Sequence, residues 1–256
     1  MGGSLVKGLL QTTMFGAADI TVADLSQQSL EAFAGTGVRL TSNNHEAAQA
    51  GDIIAVVVKP WLVQSVLEDI KTVIDYNRQL IVVIAAGISS AQINEWLSKG
   101  NGMVLPTVFL AIPNIAIAMK ASMTFVVPVN ASSEQTRLIT DMFNEMGETL
   151  VTDERLLPAG TALASSGLAY AMRYLRAATE GGVEMGFKAG EAQRIVMQTM
   201  RGTVELLQTS GMHPEEPVAV AYKLKNVIAY DEPKALEDYG ITHIPQSFVY
   251  LEDEPR

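Results

Sequence analysis

Two short stretches suited to close contact with a ligand follow the two most apolar runs of the sequence. Lys59-Pro60 follows residues 52–58, and Pro60 stops that run because proline fixes φ and has no N–H to donate. Ala85-Ala86-Gly87 follows residues 80–84 and has almost no side-chain bulk. Both runs are rich in β-branched residues and indicate strands buried on both faces. Because open α/β sheets bind ligands at the carboxyl ends of their strands, these stretches are the first candidates for a binding site.

Side chains that could act as nucleophiles or metal ligands are scarce. The sequence has no cysteine, and His45, His213 and His243 lack the spacing of a metal site, so no metal is expected. It also has no glycine-flanked serine elbow and no phosphate-binding lysine motif. We therefore expect a bound cofactor to supply the chemistry and the protein to supply position and electrostatics.

Asp24 is a candidate for binding the ribose of a dinucleotide. It follows a short strand-like run at residues 20–23, where an acidic residue can accept hydrogen bonds from ribose hydroxyls. A carboxylate near the start of a helix is equally well explained by the helix dipole. Lys59 could contact a ribose or a phosphate, or face solvent. The Gly-x-Gly-x-x-Gly turn that would settle dinucleotide binding is missing.

The order of the predicted elements indicates an α/β domain followed by helices. Strands and helices alternate as far as about residue 153, which predicts a doubly wound sheet with right-handed crossovers. Ser26 and Ser89 or Ser90 are plausible helix N-caps in this part. From residue 154 the chain is mostly helical, and its apolar stripe needs a partner surface, which a homodimer would supply in part. The stripe consists of Ala192, Ile195, Val196, Met200 and Val204.

Composition limits the class of protein. A chain of 256 residues with 48% hydrophobic residues can bury a large core. Its net charge of −10 argues against nucleic acid or an anionic membrane as a partner. We see no apolar segment long enough to span a bilayer and no signal peptide, and the lack of cysteine agrees with a reducing compartment. A cytoplasmic protein is therefore expected.

Several stretches, taken in order from Met1 to about residue 214, resemble motifs of the pyrroline-5-carboxylate reductase family. They are Val57-Val-Lys-Pro60, Ile84-Ala-Ala-Gly-Ile88, Ile112-Pro113-Asn114, Leu163-Ala-Ser-Ser-Gly-Leu-Ala-Tyr170, Gly181-Gly-Val-Glu-Met-Gly186 and Gly211-Met-His-Pro214. Each stretch alone is a weak signal. Their order and spacing make the resemblance specific, although Ile115 stands where the family has a threonine.

The resemblance implies three regions and one reaction. Residues 1–153 would be a Rossmann-like dinucleotide-binding domain, residues 154–214 an all-α dimerisation and substrate domain, and residues 215–256 an atypical tail. The implied reaction is hydride transfer from NADPH or NADH to the C=N bond of 1-pyrroline-5-carboxylate, giving L-proline. The protonated C=N bond is already electrophilic, so orientation can supply much of the acceleration without a strong catalytic acid.

The resemblance also implies the site residues. The cofactor would contact Met1, Gly2, Asp24, Leu25, Ser26, Asn44, Val57, Val58, Lys59, Pro60, Ala85, Ala86, Gly87, Pro113 and Asn114, and the substrate would lie against Ser166 and Gly167. Asp24 to Ser26 and Asn44 would lie at the adenosine ribose. Asp24 would repel a 2′-phosphate and so favours NADH, whereas the resemblance favours NADPH at least as readily.

Two departures from the family pattern carry expectations about the fold. Gly2 matches the third glycine of the phosphate-binding turn, so the first, central strand has no counterpart, and the edges of its two neighbours should be exposed. After residue 214 the family's substrate loop has no counterpart, and a strand-like run at residues 227–230 or 248–251 could fill the vacant place. The alternative functions are a non-catalytic dimerising module and a related imine or hydroxy-acid dehydrogenase.

Overall fold

The computed structural model describes residues 1–100 and 104–211. The chain forms two compact units, residues 1–174 and residues 175–256, of which the second is described as far as residue 211. The expected tail, residues 215–256, lies outside the described residues, as do His213, His243 and both strand-like runs that could fill the vacant place. No helix among the described residues has the length and hydropathy needed to cross a lipid bilayer.

The first unit alternates strands with helices, as expected. Its helices are α1 (Gly2–Leu9), α2 (Gln27–Glu31), α3 (Asn44–Ala50), α4 (Pro60–Ile70), α5 (Ser90–Leu97), α6 (Ser133–Asn144), α7 (Leu157–Gly160) and the first part of α8 (Gly167–Glu184). Its strands are β1 (Thr21–Ala23), β2 (Arg39–Thr41), β3 (Ile53–Val56), β4 (Leu80–Val83), β5 (Thr107–Ile112), β6 (Ser122–Val129) and β7 (Gly147–Val151). The predicted caps are confirmed at Ser26 and Ser89, whose hydroxyls accept from the backbone N–H three residues later.

Strands β3 to β7 form one sheet in sequence order. The pairs β3–β4, β4–β5 and β6–β7 are parallel, whereas β5–β6 is antiparallel. The alternation of elements predicted parallel crossovers throughout, and this pair differs because residues 113–121 are too few for one. A crossover needs a dozen or more residues, and this connection holds only the short 3₁₀ segment Ile115–Met119.

Strands β1 and β2 form a separate parallel pair. Within the described residues, β1 therefore pairs only with β2, and β3 pairs only with β4. This agrees with the expectation that one edge of each of these two strands has no partner strand, as far as the described residues show. It also explains why β3 is less buried than its apolar sequence predicts: Ala55 is exposed and Ile53 and Ile54 are only half-buried.

Helices cover both faces of the larger sheet. Residues of β4 alternate, so that Ile81 and Val83 pack against α4 and α5 on one face, while Leu80 and Val82 pack against α1 and α6 on the other. The largest fully buried side chains include Phe109 of β5, which lies in the second of these layers. The doubly wound α/β class expected from the sequence is confirmed.

The second unit consists, where it is described, of the end of α8 and of α9 (Ala189–Ser210). Gly186, with φ of +103°, ends the turn after α8 in a conformation that favours glycine. The two helices touch at Gly182, where an added Cβ would lie 2.9 Å from the Cβ of Ala192. Large apolar side chains on this unit are exposed: Val183, Met185, Phe187, Ile195, Met197, Val204 and Leu206.

Candidate functional site

The carboxyl ends of three parallel strands meet at one edge of the larger sheet. Val56 of β3 pairs in register with Val83 of β4, and Val83 pairs with Leu110 of β5. The segments that follow these strands therefore start side by side. They contain most of the residues expected to contact a cofactor: Val57, Val58, Lys59, Pro60, Ala85, Ala86, Gly87, Pro113 and Asn114.

The start of α1 lies beside the end of β3. A Cβ added to Gly2 would lie 3.9 Å from the Cβ, Cγ1 and carbonyl oxygen of Val57. Met1 is the N-cap residue, no side chain caps this end within the described residues, and no acidic residue occupies the first turn. A helix start with uncapped N–H groups and no competing carboxylate attracts an anion such as a pyrophosphate. The positions of Met1 and Gly2 are therefore compatible with the contact to the cofactor that was expected of them.

Asp24 stands exposed at the end of β1. Its Oδ1 accepts from the N–H of Ser26 at 2.7 Å, and its own N–H donates to the carbonyl of Thr41 at 3.2 Å. The other carboxylate oxygen has no partner among the described residues, so it can accept from a ribose hydroxyl. Leu25 is 85% exposed, and Ser26 caps α2.

Asn44 occupies the first position of α3 rather than its cap. The cap is Asn43, whose Oδ1 accepts from the N–H groups of His45 and Glu46 at 2.9 Å and 3.4 Å. The half-buried side chain of Asn44 makes no hydrogen bond within the part of the chain that the structure describes. Its amide can therefore bind a ligand without breaking a hydrogen bond in the protein.

The end of β4 is built for close approach to its backbone. Ala85 is buried, while Ala86 and Gly87 are exposed. Gly87 has φ of +78°, a conformation that strains any residue with a Cβ. The small residues and the open backbone leave room for a flat ring at this strand end.

Asn114 differs from the other candidates because both ends of its amide are engaged inside the protein. It is 7% exposed; its Oδ1 accepts from the N–H of Ala116 at 2.9 Å, and its Nδ2 donates to the carbonyl of Ala164 at 3.3 Å. The hydroxyl of Ser165 donates to the carbonyl of Pro113 at 3.0 Å. The end of β5 is therefore tied to the segment that precedes α8.

That segment, Thr161–Ser166, is a π-helical turn, which the sequence did not reveal. Such turns occur often at functional sites. The turn is held against the sheet at Gly160 as well, where an added Cβ would lie 2.9 Å from the ring of Phe125. Ser166 ends the turn and Gly167 starts α8; the half-buried hydroxyl of Ser166 has no partner among the described residues. A π turn has no simple sequence pattern, so the run of small residues at 164–167 was the only local hint.

Trp61 is a second feature that the sequence did not single out. It is the second residue of α4, 75% exposed, and its ring centroid lies 6.0 Å from the Nζ of Lys59. Lys59 pairs with no carboxylate within residues 1–100 and 104–211.

No cluster of three or more histidine or acidic side chains that could bind a metal ion occurs among the described residues. Burial raises the pKa of the Tyr76 hydroxyl to about 12. This hydroxyl donates to the carbonyl of Leu97 at the end of α5, away from the strand ends described above. The site therefore consists of backbone groups, one carboxylate, amides, hydroxyls and one lysine.

Comparison with known proteins gives two family matches and many relatives. Residues 154–227 match a family model described as pyrroline-5-carboxylate reductase dimerisation. Residues 1–87 match one described as NADP oxidoreductase, coenzyme F420-dependent. Pyrroline-5-carboxylate reductase 1 of Dictyostelium discoideum is 30% identical over 227 residues, which span 84% of this chain and 40% of the relative. Pyrroline-5-carboxylate reductase 3 of Mus musculus is 27% identical over 219 residues, which span 84% of this chain and 77% of the relative.

The fold has close counterparts among solved structures. The crystal structure of the Plasmodium falciparum pyrroline carboxylate reductase with NADP bound matches with a TM-score of 0.77 and 22% identity. The match covers 94% of this chain and 85% of that chain. This likeness supports a Rossmann-like domain followed by helices.

Proposed function

We propose, since this chain belongs to the pyrroline-5-carboxylate reductase family, that it reduces 1-pyrroline-5-carboxylate to L-proline with NADPH or NADH. The observation that carries the proposal is the place of the start of α1, which no described side chain caps. It lies beside Val57, the residue that follows β3, and the strands β3, β4 and β5 are parallel neighbours that end at the same edge of the sheet. This is the arrangement that a dinucleotide requires.

The residues of this edge fit the cofactor. A reduced nicotinamide, when bound, supplies the hydride. The N–H groups at the start of α1 bind the pyrophosphate, and the unpaired oxygen of Asp24 accepts from the ribose of the adenosine half. The exposed backbone at Ala86 and Gly87 admits the flat nicotinamide ring. The protein's contribution is to hold donor and acceptor in one geometry.

The substrate is proposed to lie against Ser166 and Gly167. The hydroxyl of Ser166 can donate to the substrate because it has no partner among the described residues. The bonds from Asn114 to Ala164 and from Ser165 to Pro113 fix the π turn relative to the end of β5. Asn114 is thus a positioning residue, and it places the substrate side of the site against the cofactor side.

We also propose that the chain acts as a homodimer or larger homo-oligomer. The cofactor domain is assigned to residues 1–153 and the dimerisation and substrate domain to residues 154–214, which the start of the dimerisation match at residue 154 supports. The compact units divide later, after residue 174, which lies within α8. The exposed apolar side chains of α8 and α9 supply the surface that assembly would cover.

Oxidation of NADPH and NADH by the purified chain tests the function. We expect oxidation that depends on 1-pyrroline-5-carboxylate and yields proline. Analytical ultracentrifugation should give a molecular mass of at least two chains. The chain could bind the cofactor and oxidise it with another cyclic imine but not with 1-pyrroline-5-carboxylate. That result would assign it to the related imine dehydrogenases. A protein that sediments as two chains and binds no nicotinamide cofactor would support the dimerising module instead.

Replacing Asp24 with asparagine should shift cofactor preference toward NADPH. The change removes the charge that repels a 2′-phosphate, and we expect the ratio of the NADPH and NADH dissociation constants to change about tenfold, equivalent to roughly 1.4 kcal/mol. Fluorescence titration of each reduced cofactor measures the ratio. Glu31→Gln is the matched control, because it removes one exposed carboxylate from the last residue of α2. An equal shift in both variants would show that net charge, and not Asp24, sets the preference.

A further inference from the structure

Trp61 is exposed although its helix buries neighbouring apolar residues. Its side chain is 75% exposed, whereas Val63, two residues later, is completely buried. Trp96, the other tryptophan of the sequence, is half-buried and packs against the core beneath α4 and α5. The fold therefore uses one tryptophan for packing and leaves the ring of the other in solvent. A single exposed apolar side chain is ordinary, so its meaning depends on its place.

That place is the first turn of α4, directly after β3, whose end lies beside the start of α1. The start of α1, proposed to bind the pyrophosphate, contacts Val57, which is four residues before Trp61. Asp24, proposed to bind the ribose, directly follows β1. The adenine is attached to that ribose and cannot enter the buried core between the layers. It must lie at the rim, where Leu25 follows β1 and Trp61 follows β3, and both side chains are largely exposed, at 85% and 75%.

Lys59 gives this rim a positive charge. Its Nζ lies 6.0 Å from the centroid of the Trp61 ring, within the range of a cation–π contact. Because Lys59 has no carboxylate partner in the described part of the chain, its charge remains available to a ligand. In nucleotide-binding proteins an aromatic ring stacks on the face of the base, while a neighbouring cation attracts the phosphates.

We propose that Trp61, with Lys59 beside its ring, is the stacking platform for the adenine of the cofactor. The inference rests on the proposed function and adds to it a residue that determines affinity for the adenine half. Stacking of a base requires the face of an aromatic ring, which phenylalanine has and alanine lacks. Phenylalanine should therefore replace Trp61 better than alanine does. Lys59 acts here by orienting the ring and by attracting the phosphates.

Binding of two probes by the full chain tests the platform. Calorimetric titration is made with NADPH and with ADP-ribose, which contains the adenine and lacks the nicotinamide. Trp61→Ala is expected to weaken both about tenfold, whereas Trp61→Phe stays within about threefold of the original chain. Leu62→Ala is the matched control, because Leu62 is the next residue of α4 and is also exposed, at 45%. Its affinity for both probes should not change.

Fluorescence supplies an independent reading. In a Trp96→Phe variant, Trp61 is the one tryptophan left in the sequence, and ADP-ribose should quench its emission as the adenine stacks on it. Unchanged affinity in Trp61→Ala, or no quenching while ADP-ribose binds, overturns the platform and leaves the proposed function standing. If the unaltered chain binds neither probe, the platform and the proposed function are both overturned.

Discussion

Replacing Gly147 with alanine is expected to destabilise the protein by about 4 kcal/mol, which combines the strain of an unsuitable φ with the cost of overpacking. Gly147 begins β7 with φ of +142°. An added Cβ would lie 2.0 Å from the carbonyl oxygen and 2.5 Å from the nitrogen of Ser122, its partner in β6. Backbone atoms of a paired strand cannot move aside as a flexible side chain can.

Because Ser122 would have to move away from the added methyl group, the change would also displace residues of the candidate site. The hydroxyl of Ser122 accepts from the N–H of Asn114 at 3.1 Å, and Asn114 holds the π turn through Ala164. We expect the thermal midpoint to fall by about 10 °C for a chain of this size. Denaturant unfolding should show the same loss of free energy.

Gly181→Ala is the control for this prediction. Gly181 lies inside α8, and no atom lies within 4 Å of the Cβ that the change would add. Alanine has the higher helix propensity, so stability should rise by about 0.5–1 kcal/mol. Two variants with the same change of one methyl group should therefore move in opposite directions. A Gly147→Ala variant as stable as the original chain would mean that β7 does not pair with β6 in this register.

Local signals predicted the elements of this fold well because they depend on few residues. The place of Ser26, and of Ser89 or Ser90, before an apolar pattern predicts helix caps, and the hydroxyls of Ser26 and Ser89 do accept from the N–H three residues later. Pro60 was expected to stop a strand, and it is the first residue of α4. The carboxyl ends of parallel strands lie at the same edge of a sheet. The residues that follow β3, β4 and β5 were therefore expected to lie together.

Features that depend on distant partners could not be predicted in the same way. The amide of Asn114 was assigned to the cofactor, yet its hydrogen bonds go to Ala116 and to Ala164, fifty positions further along the chain. The antiparallel pairing of β6 is a further difference from the sequence prediction. It depends on where β5 and β6 end, and residues 113–121 between them are too few for a crossover.

A second large effect is expected at the edges of β1 and β3 that pair with no other strand among the described residues. An apolar strand of about five residues, joined to Met1 through a Gly-x-Gly turn, should pair with both edges and complete one continuous parallel sheet. The turn would add backbone donors for the pyrophosphate beside the start of α1. Two charge-assisted hydrogen bonds at roughly 1.5 kcal/mol each correspond to an NADPH dissociation constant about a hundredfold lower. The loss of two exposed edges should also raise the unfolding midpoint.

Calorimetric titration of NADPH with the chain as it stands and with the extended chain measures this effect. The control extension has the same length and composition except for proline at two strand positions whose N–H groups would pair, since proline cannot donate and is excluded from central strands. We expect the control to bind NADPH as the unextended chain does. If the unextended chain already binds as tightly as the extended one, a segment of the protein outside the described residues covers these edges, as the sequence suggested for residues 227–230 or 248–251. If the extension stabilises the protein without changing its affinity for NADPH, the sheet is completed but the pyrophosphate does not bind at the start of α1.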